Sequence, residues 1–292
     1  FVYQKSEKTK YWEEAKPYIT KYYQIMNNTF GRYVYPTYSF VQGGDGGMEY
    51  GMCTMILGES KSLEGLLGLM IHEGSHSWFQ QMLATNESTK PWLDEGFTSY
   101  AESYVMYQLF PKTNEANPFI NSLKGYAYFA KSGREEPASW LSDHHDNGTA
   151  YSVASYTKGE LFLVELGYIM GEETLSKVMK KYYQDWHLKH PSDRDFMHIA
   201  QQISGMDLKW FYHYWINTTK TIDYAIKDVK YGDTYTTITL VNNSDVPMPI
   251  DFNVLTKDKK TINYHIPLNM MRSPKKSDFY GNFQTLDYWN WT

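Results

Sequence analysis

The residues best placed for chemistry are His72-Glu73-Gly74-Ser75-His76, an H-E-x-x-H motif inside a stretch with helical apolar spacing. Residues four apart share one helix face, so both imidazoles can reach a single ion. Glu73 falls beside them, within reach of a metal-bound water. Zinc held by three protein ligands keeps a fourth position for water and lowers its pKa to roughly 7, creating a nucleophile at neutral pH. With 9 His and 17 Glu in 292 residues, shuffled chains would contain this motif in on the order of one case in sixty. The competing reading is a satisfied His pair on a core helix. A third candidate ligand weakens that reading. Glu95 follows His76 with eighteen residues between, in Trp92-Leu93-Asp94-Glu95-Gly96-Phe97 on the next expected helix, and a helical hairpin would fold it back. Requiring Glu at that one offset lowers the chance expectation to on the order of one in a thousand, and His/His/Glu is a catalytic zinc set with an open position.

Two further segments fit the same chemistry. Gly46-Gly47-Met48-Glu49-Tyr50 ends a glycine-rich run that starts at Gly43, and Tyr156-Thr157-Lys158-Gly159 stands downstream. Glycines let a substrate backbone come close where a side chain would not. A phosphate loop is a poor alternative, because no Lys-Ser/Thr follows and Asp45 is acidic. Taken alone, Glu49 and Tyr156 would be ordinary surface or core residues.

In this order the four motifs resemble the gluzincin aminopeptidases of the aminopeptidase N and leukotriene hydrolase type. The glycine-led segment is similar to that family's G-x-M-E-N exopeptidase motif, and the last one to its Tyr-x-Lys-Gly segment. The resemblance spans about residues 1–220 and, more loosely, the remainder. It implies an α+β, thermolysin-like zinc metallopeptidase catalytic domain and one Zn2+ per chain on His72, His76 and Glu95. It also implies Glu73 as general base and later proton donor, and Tyr156 as hydrogen-bond donor to the oxyanion. Glu49 would hold the substrate's free α-amine, while Gly46, Gly47 and Met48 contact the bound peptide. The expected partners are therefore peptides with a free N-terminus. Physics supports each role: a carboxylate beside the water is a competent base, and a phenol aimed at developing negative charge stabilises the transition state.

The sequence departs from the family pattern at two motif positions. Tyr50 stands where Asn is commonest, and Asp94 replaces the commoner Asn beside the zinc glutamate, which bears on ligand tuning. The family's N-terminal β domain and helical C-terminal domain are not expected in these 292 residues, so a less active or less selective fragment is anticipated. The start at Phe1 suggests a processed form or an excised piece. Two other functions follow from the same residues. A zinc endopeptidase would ignore the free amine, which Glu49 argues against. A peptide-binding zinc scaffold with little turnover would need neither Glu73 nor Tyr156.

The elements that must position these residues are legible in the apolar spacing. Helical periods cover residues 9–30, 62–83 and 91–111, with Pro17 a candidate kink and Pro91 suited to a first helical turn. Residues 38–42 and 48–57 read as strands. Residues 131–147 are polar and turn-rich, and His144-His145 there reads as a solvated loop rather than a pocket border. Short helices follow over 156–170, 172–186, a segment opened by a Ser192 capping box and closed by Gly205, and a last one capped by Asp207. Beyond about residue 221 the period changes to strand, over 234–241, 246–255 and 261–266. The expected division is a catalytic domain over 1–220 and a partial β-sandwich over 221–292.

Bulk properties close off other classes. Net charge is −5 with both signs interspersed and no long Lys/Arg block, so no nucleic-acid partner is expected. No apolar run is long enough to span a bilayer. Cys53 is the sole cysteine, which excludes an internal disulfide and thiolate metal sites; it reads as an inert thiol in a buried strand. Aromatic residues reach 17 % and are expected mainly in the core. Neither compartment nor oligomeric state is fixed by the sequence, and an exported parent with its signal upstream is consistent with it.

Overall fold

Helices form where apolar side chains recur at three- and four-residue spacing. The computed structural model describes residues 1–111, 117–275 and 282–289. In α1 (Tyr11–Thr29), Trp12, Ala15, Ile19, Tyr22 and Met26 face inward, and the helix continues through Pro17. Ser62 caps α2 (Leu63–His76), its hydroxyl accepting from the Gly65 amide at 3.0 Å. Then come α3 (Phe97–Leu109), α4 (Ile120–Ala130), α5 (Gly148–Ser152), α6 (Lys158–Met170), α7 (Glu172–Trp186), α8 (Asp193–Ser204) and α9 (Lys209–Asn217). The Ser192 box forms with Asp195, and Gly205 closes α8 at φ 72°, a backbone region that disfavours any side chain. The short α5 and α4 were not expected. Asn147 accepts from the Thr149 and Ala150 amides and so starts α5.

A three-stranded sheet lies beside α2. It contains β1 (Ser39–Gly43), β2 (Gly47–Tyr50) and β3 (Cys53–Leu57) in the order β1-β3-β2. β1 runs parallel to β3, whereas β2 runs antiparallel, with Glu49 opposite Thr54. The single strand expected over 48–57 is therefore a hairpin. Its turn passes through Gly51 and Met52, and Met52 takes φ 59°. β2 is the edge strand, so its outer backbone groups have no strand partner among the described residues. Cys53 corrects another expectation: it is only half-buried, while Thr54 and Ile56 fill the inward positions of β3.

The core is aromatic, as the composition implied. Trp92 meets Phe162 at 5.1 Å and Phe97 meets Phe196 at 5.0 Å, both edge-on, the geometry that ring quadrupoles favour. After α9 the chain forms two small sheets. β4 (Tyr224–Tyr231) pairs with β5 (Thr236–Asn242), and β6 (Ile250–Leu255) with β7 (Thr261–Ile266), which also carries β8 (Gln284–Thr285). β4 was missed because Lys227, Asp228 and Lys230 break its alternation; it is exposed along nearly all its length. The sheets join the helices partly through Tyr168 of α6, whose hydroxyl donates to the Pro249 carbonyl at 3.0 Å and accepts from the Asp251 amide at 2.9 Å. Among the described residues, no helix is long and apolar enough to cross a membrane.

Candidate metal centre

Regular helices bring the motif residues near one another, and three π-helical turns finish the placement. Ser77–Met82 follows His76 directly, Trp92–Gly96 contains Glu95, and Val153–Thr157 contains Tyr156. Such turns widen the helix locally and are frequent at functional sites. The second meets the start of α6, which continues directly from the third, at a pair of glycines. A methyl group at Gly96 would lie 2.5 Å from the Gly159 Cα, so the two backbones touch where any side chain would separate them.

One donor atom each from His72, His76 and Glu95 lies within 4.8 Å of the others. Glu95 Oε2 stands 3.4 Å from Nε2 of both His72 and His76. It is buried and has no hydrogen-bond partner. Two imidazole nitrogens and one orphaned carboxylate oxygen thus converge with nothing of the protein between them, an arrangement that suits a metal ion. The far side of each ring is occupied. His72 Nδ1 lies 3.0 Å from Glu102 Oε2, and His76 Nδ1 lies 2.6 Å from Asp94 Oδ1. With Nδ1–H donated to a carboxylate, each Nε2 lone pair is left facing the centre. A second combination, Glu49 with His76 and Asp94, also comes within 4.8 Å. It competes for the His76–Asp94 contact and leaves His72 aside, so the first set is the better donor group.

Electrostatics set the resting protonation. Burial depresses the His72 imidazolium, yet hydrogen bonds with Glu102 and Glu95 overcome this and raise it to about 9. His76 is raised as well: burial opposes, and the charge and hydrogen bond of Asp94 win. Glu95 runs the other way, since burial would raise it but contacts with His72 and His76 hold it down at about 2. An ion entering here must displace protons from the imidazoles, so binding strengthens as pH rises towards 9.

Glu73 points at the same centre. It is buried, and burial pushes its carboxyl up to about 7 against the pull of His72 and His76. Gly47 makes room for it, because a methyl group there would lie 2.1 Å from Glu73 Oε1. This gives Gly47 a reason the sequence did not reveal: it accommodates the protein's own carboxylate. Gly46 differs, with open space around it and φ +29°. Tyr156 donates to Glu95 Oε1 at 2.7 Å and stacks on His72 at 5.8 Å. Burial first, and then the Glu95 charge, push its phenol far above the usual tyrosine range, so it stays a donor.

Glu49 shares the inward side of β2 with Gly47, while Met48 and Tyr50 are exposed. No other side chain hydrogen-bonds its carboxylate among the described residues, and burial raises its pKa. The structure therefore gathers His72, His76, Glu95, Glu73, Tyr156, Gly47 and Glu49, and leaves Met48 and Gly46 at the margin. Glu102 was missed by sequence reasoning, although it lies two helical turns after Glu95 on the same face. His145 needs correction: His144 is exposed, but His145 is buried against Glu136 at 2.6 Å. It meets Tyr151 at 5.6 Å, and Tyr151 meets Tyr156 at 6.3 Å, so this segment backs the site wall instead of forming a solvated loop.

Known proteins share this arrangement of sequence and fold. The sequence profile described as the Peptidase family M1 domain matches residues 18–215. Rat (Rattus norvegicus) aminopeptidase B is 27% identical over 246 residues, covering 76% of this chain and 37% of its own length. Aminopeptidase M1-A of Oryza sativa subsp. japonica is 26% identical over 167 residues, 56% of this chain and 19% of its own. Among solved structures, the M1 zinc metallopeptidase of Deinococcus radiodurans superposes with a TM-score of 0.57 at 16% identity, covering 68% of this chain and 43% of that one. Yeast LTA4 hydrolase in complex with bestatin gives 0.58 at 20% identity, with 70% and 35% covered. The last two likenesses concern the fold. The chain spans well under half the length of these relatives.

Proposed function

The chain belongs to peptidase family M1, and from that premise we propose that it is a zinc metalloaminopeptidase that hydrolyses the N-terminal peptide bond of peptides. The observation that carries this reading is the convergence of two Nε2 atoms and the orphaned Glu95 Oε2 beside a buried Glu73 and the half-buried Glu49 carboxylate. His72, His76 and Glu95 are the proposed ligands of one zinc per chain. When bound there, zinc supplies Lewis acidity that makes water a nucleophile near neutral pH.

The remaining steps belong to the chain's own residues. Glu73 takes the proton of the attacking water and passes it to the leaving amine. Its burial beside the centre suits a carboxylate that must both accept and release a proton. Tyr156, held as a donor, turns its hydroxyl to the carbonyl oxygen as negative charge develops there. The outer edge of β2 has no strand partner among the described residues, although the Glu49 carbonyl accepts from Gln81 Nε2 at 3.2 Å, and it is suited to run alongside an extended substrate backbone. At the end of that edge Glu49 receives the α-ammonium, a charge-assisted contact stronger than a neutral hydrogen bond. An N-acetylated peptide would leave that carboxylate unpaired.

The test compares alanine, leucine and arginine p-nitroanilides with their N-acetyl forms. Free-amine substrates should be cleaved much faster, and Glu49→Ala should erase most of the difference while zinc content stays the same. Equal cleavage of both forms, unchanged in Glu49→Ala, would replace the aminopeptidase reading with an endopeptidase one.

A further inference from the structure

Tyr156 lies in the π-helical turn Val153–Thr157, where the regular bonding of an α-helix does not by itself fix the direction of a side chain. Something else must hold it, and the residue two positions on is tied down unusually well. Lys158, the first residue of α6, is fully buried. Its ammonium pairs with the Glu135 carboxylate and donates to the Thr218 carbonyl at 2.9 Å. The rings of Tyr126 and Trp215 flank it at 5.9 and 5.6 Å. Those aromatic residues are themselves bonded in: the Tyr126 hydroxyl donates to Glu135 Oε1 at 3.0 Å, and Trp215 Nε1 donates to the Lys158 carbonyl at 2.9 Å. Burial pulls the lysine down from its ordinary range, and the Glu135 charge opposes that pull.

A buried ammonium is an expensive way to fill space. Replacing a buried ion pair by apolar residues of similar size is often neutral or stabilising, so such a pair is better evidence of placement than of stability. Here the placement is specific. Lys158 is bonded through both backbone and side chain, to Glu135, to Trp215 of α9 and to Thr218 just after it, and the Tyr126 ring of α4 flanks its ammonium. One residue further, Gly159 rests against Gly96, next to Glu95. The turn carrying Tyr156 is therefore anchored by Lys158 and abuts the turn carrying Glu95, and the outcome is the 2.7 Å contact between the Tyr156 hydroxyl and Glu95 Oε1.

We propose that Lys158 is a positioning residue: its ion pair with Glu135 and its bond to the Thr218 carbonyl fix the turn that aims the Tyr156 hydroxyl into the metal centre. This rests on the proposed role of Tyr156 at the oxyanion. Lys158 touches no reacting atom and acts only through that phenol. Its loss should lower kcat, leave KM and zinc content near the wild-type values, and have little effect once the phenol is absent.

The experiment is a double-mutant cycle on leucine p-nitroanilide hydrolysis, with zinc content and thermal midpoint measured for each protein. Lys158→Met alone strands a buried carboxylate and threatens the fold, so the informative protein is the pair replacement Lys158→Met with Glu135→Gln. Tyr126→Phe is the milder variant; it deletes one hydroxyl bonded to Glu135 and keeps the ring. The pair replacement should lower kcat about tenfold or more, since small misplacements of a catalytic group are costly. In a Tyr156→Phe background the same replacement should cost less than about twofold, because coupled sites are not additive. If the pair replacement does not fold, Tyr126→Phe decides by the same criterion, with a smaller loss of about two- to threefold that vanishes beside Tyr156→Phe. An unchanged kcat, or an equal loss in both backgrounds, would overturn the proposal and leave Lys158 a structural residue. Tyr156→Phe with wild-type kcat would instead remove the role of Tyr156 itself, and the positioning of it by Lys158 would fall too.

Discussion

His76 and His265 each have an aspartate as immediate partner, and only His76 lies in the candidate metal centre. His76 Nδ1 lies 2.6 Å from Asp94, and His265 Nδ1 lies 2.6 Å from Asp251; both imidazoles are buried. The difference is at the other nitrogen. His76 Nε2 faces Glu95 Oε2 at 3.4 Å, with His72 on the same carboxylate. His265 Nε2 is buried with no partner. The second oxygen of Asp251 pairs with the Lys275 ammonium, a cation that cannot donate an electron pair to a metal. A histidine–carboxylate pair is thus a local motif available to any buried sheet. A metal centre needs further donors converging on the nitrogen that the pair leaves open. In the helical region α2 and the turn after Pro91 supply them. In the β-rich tail the positions beside His265 on the neighbouring strands are Asp251 and Thr285, and among the described residues no donor group forms around it.

The largest expected effect tests the chemistry of the helical region without disturbing its donors. Glu73→Gln should reduce hydrolysis by roughly 10²–10⁴ while zinc remains bound, because the amide cannot accept the water's proton. Substantial turnover in that variant would assign the base elsewhere. The two histidines themselves come next. His76→Ala should abolish tight zinc binding. His265→Ala should leave zinc content and kcat alone and cost about 1–3 kcal/mol of stability, the usual penalty for stranding a buried hydrogen-bonding partner. Equal zinc loss from both variants would erase the distinction drawn between the regions.

A smaller effect sharpens the comparison inside the site. Asp94→Asn keeps the shape around His76 but removes the charge behind its ring. Zinc affinity, measured by chelator competition, should weaken roughly 10- to 100-fold, as for other partners of ligating histidines. An unchanged affinity would mean that Asp94 only orients the ring.

What the sequence disclosed follows the same division. The convergence of His72, His76 and Glu95 was legible because helical periodicity places residues four apart on one face, and because a polar break over residues 85–90 precedes the turn that returns Glu95. The partners behind the rings were harder to see. Glu102 belongs to another helix, and its role depends on the packing angle between α2 and α3, which no spacing encodes. Gly46 and Gly47 were read as room for substrate; that Gly47 also makes room for Glu73, and Gly96 for Gly159, rests on contacts distant in sequence. Cys53 was assigned to the core because residues 48–57 look like one apolar strand, and the hairpin at Gly51 changes which side faces inward. In the tail, β4 escaped notice because an exposed strand bears little of the alternation that burial imposes.

The central claim, that hydrolysis depends on one zinc held by His72, His76 and Glu95, is tested most directly by titrating metal-free protein with zinc. Bound metal and leucine p-nitroanilide hydrolysis are followed in the same samples. The account predicts that both rise together and saturate at about one equivalent per chain, with no such step in His76→Ala. Hydrolysis that persists in the metal-free protein, or full occupancy at these ligands without turnover of any free-amine substrate, would contradict it.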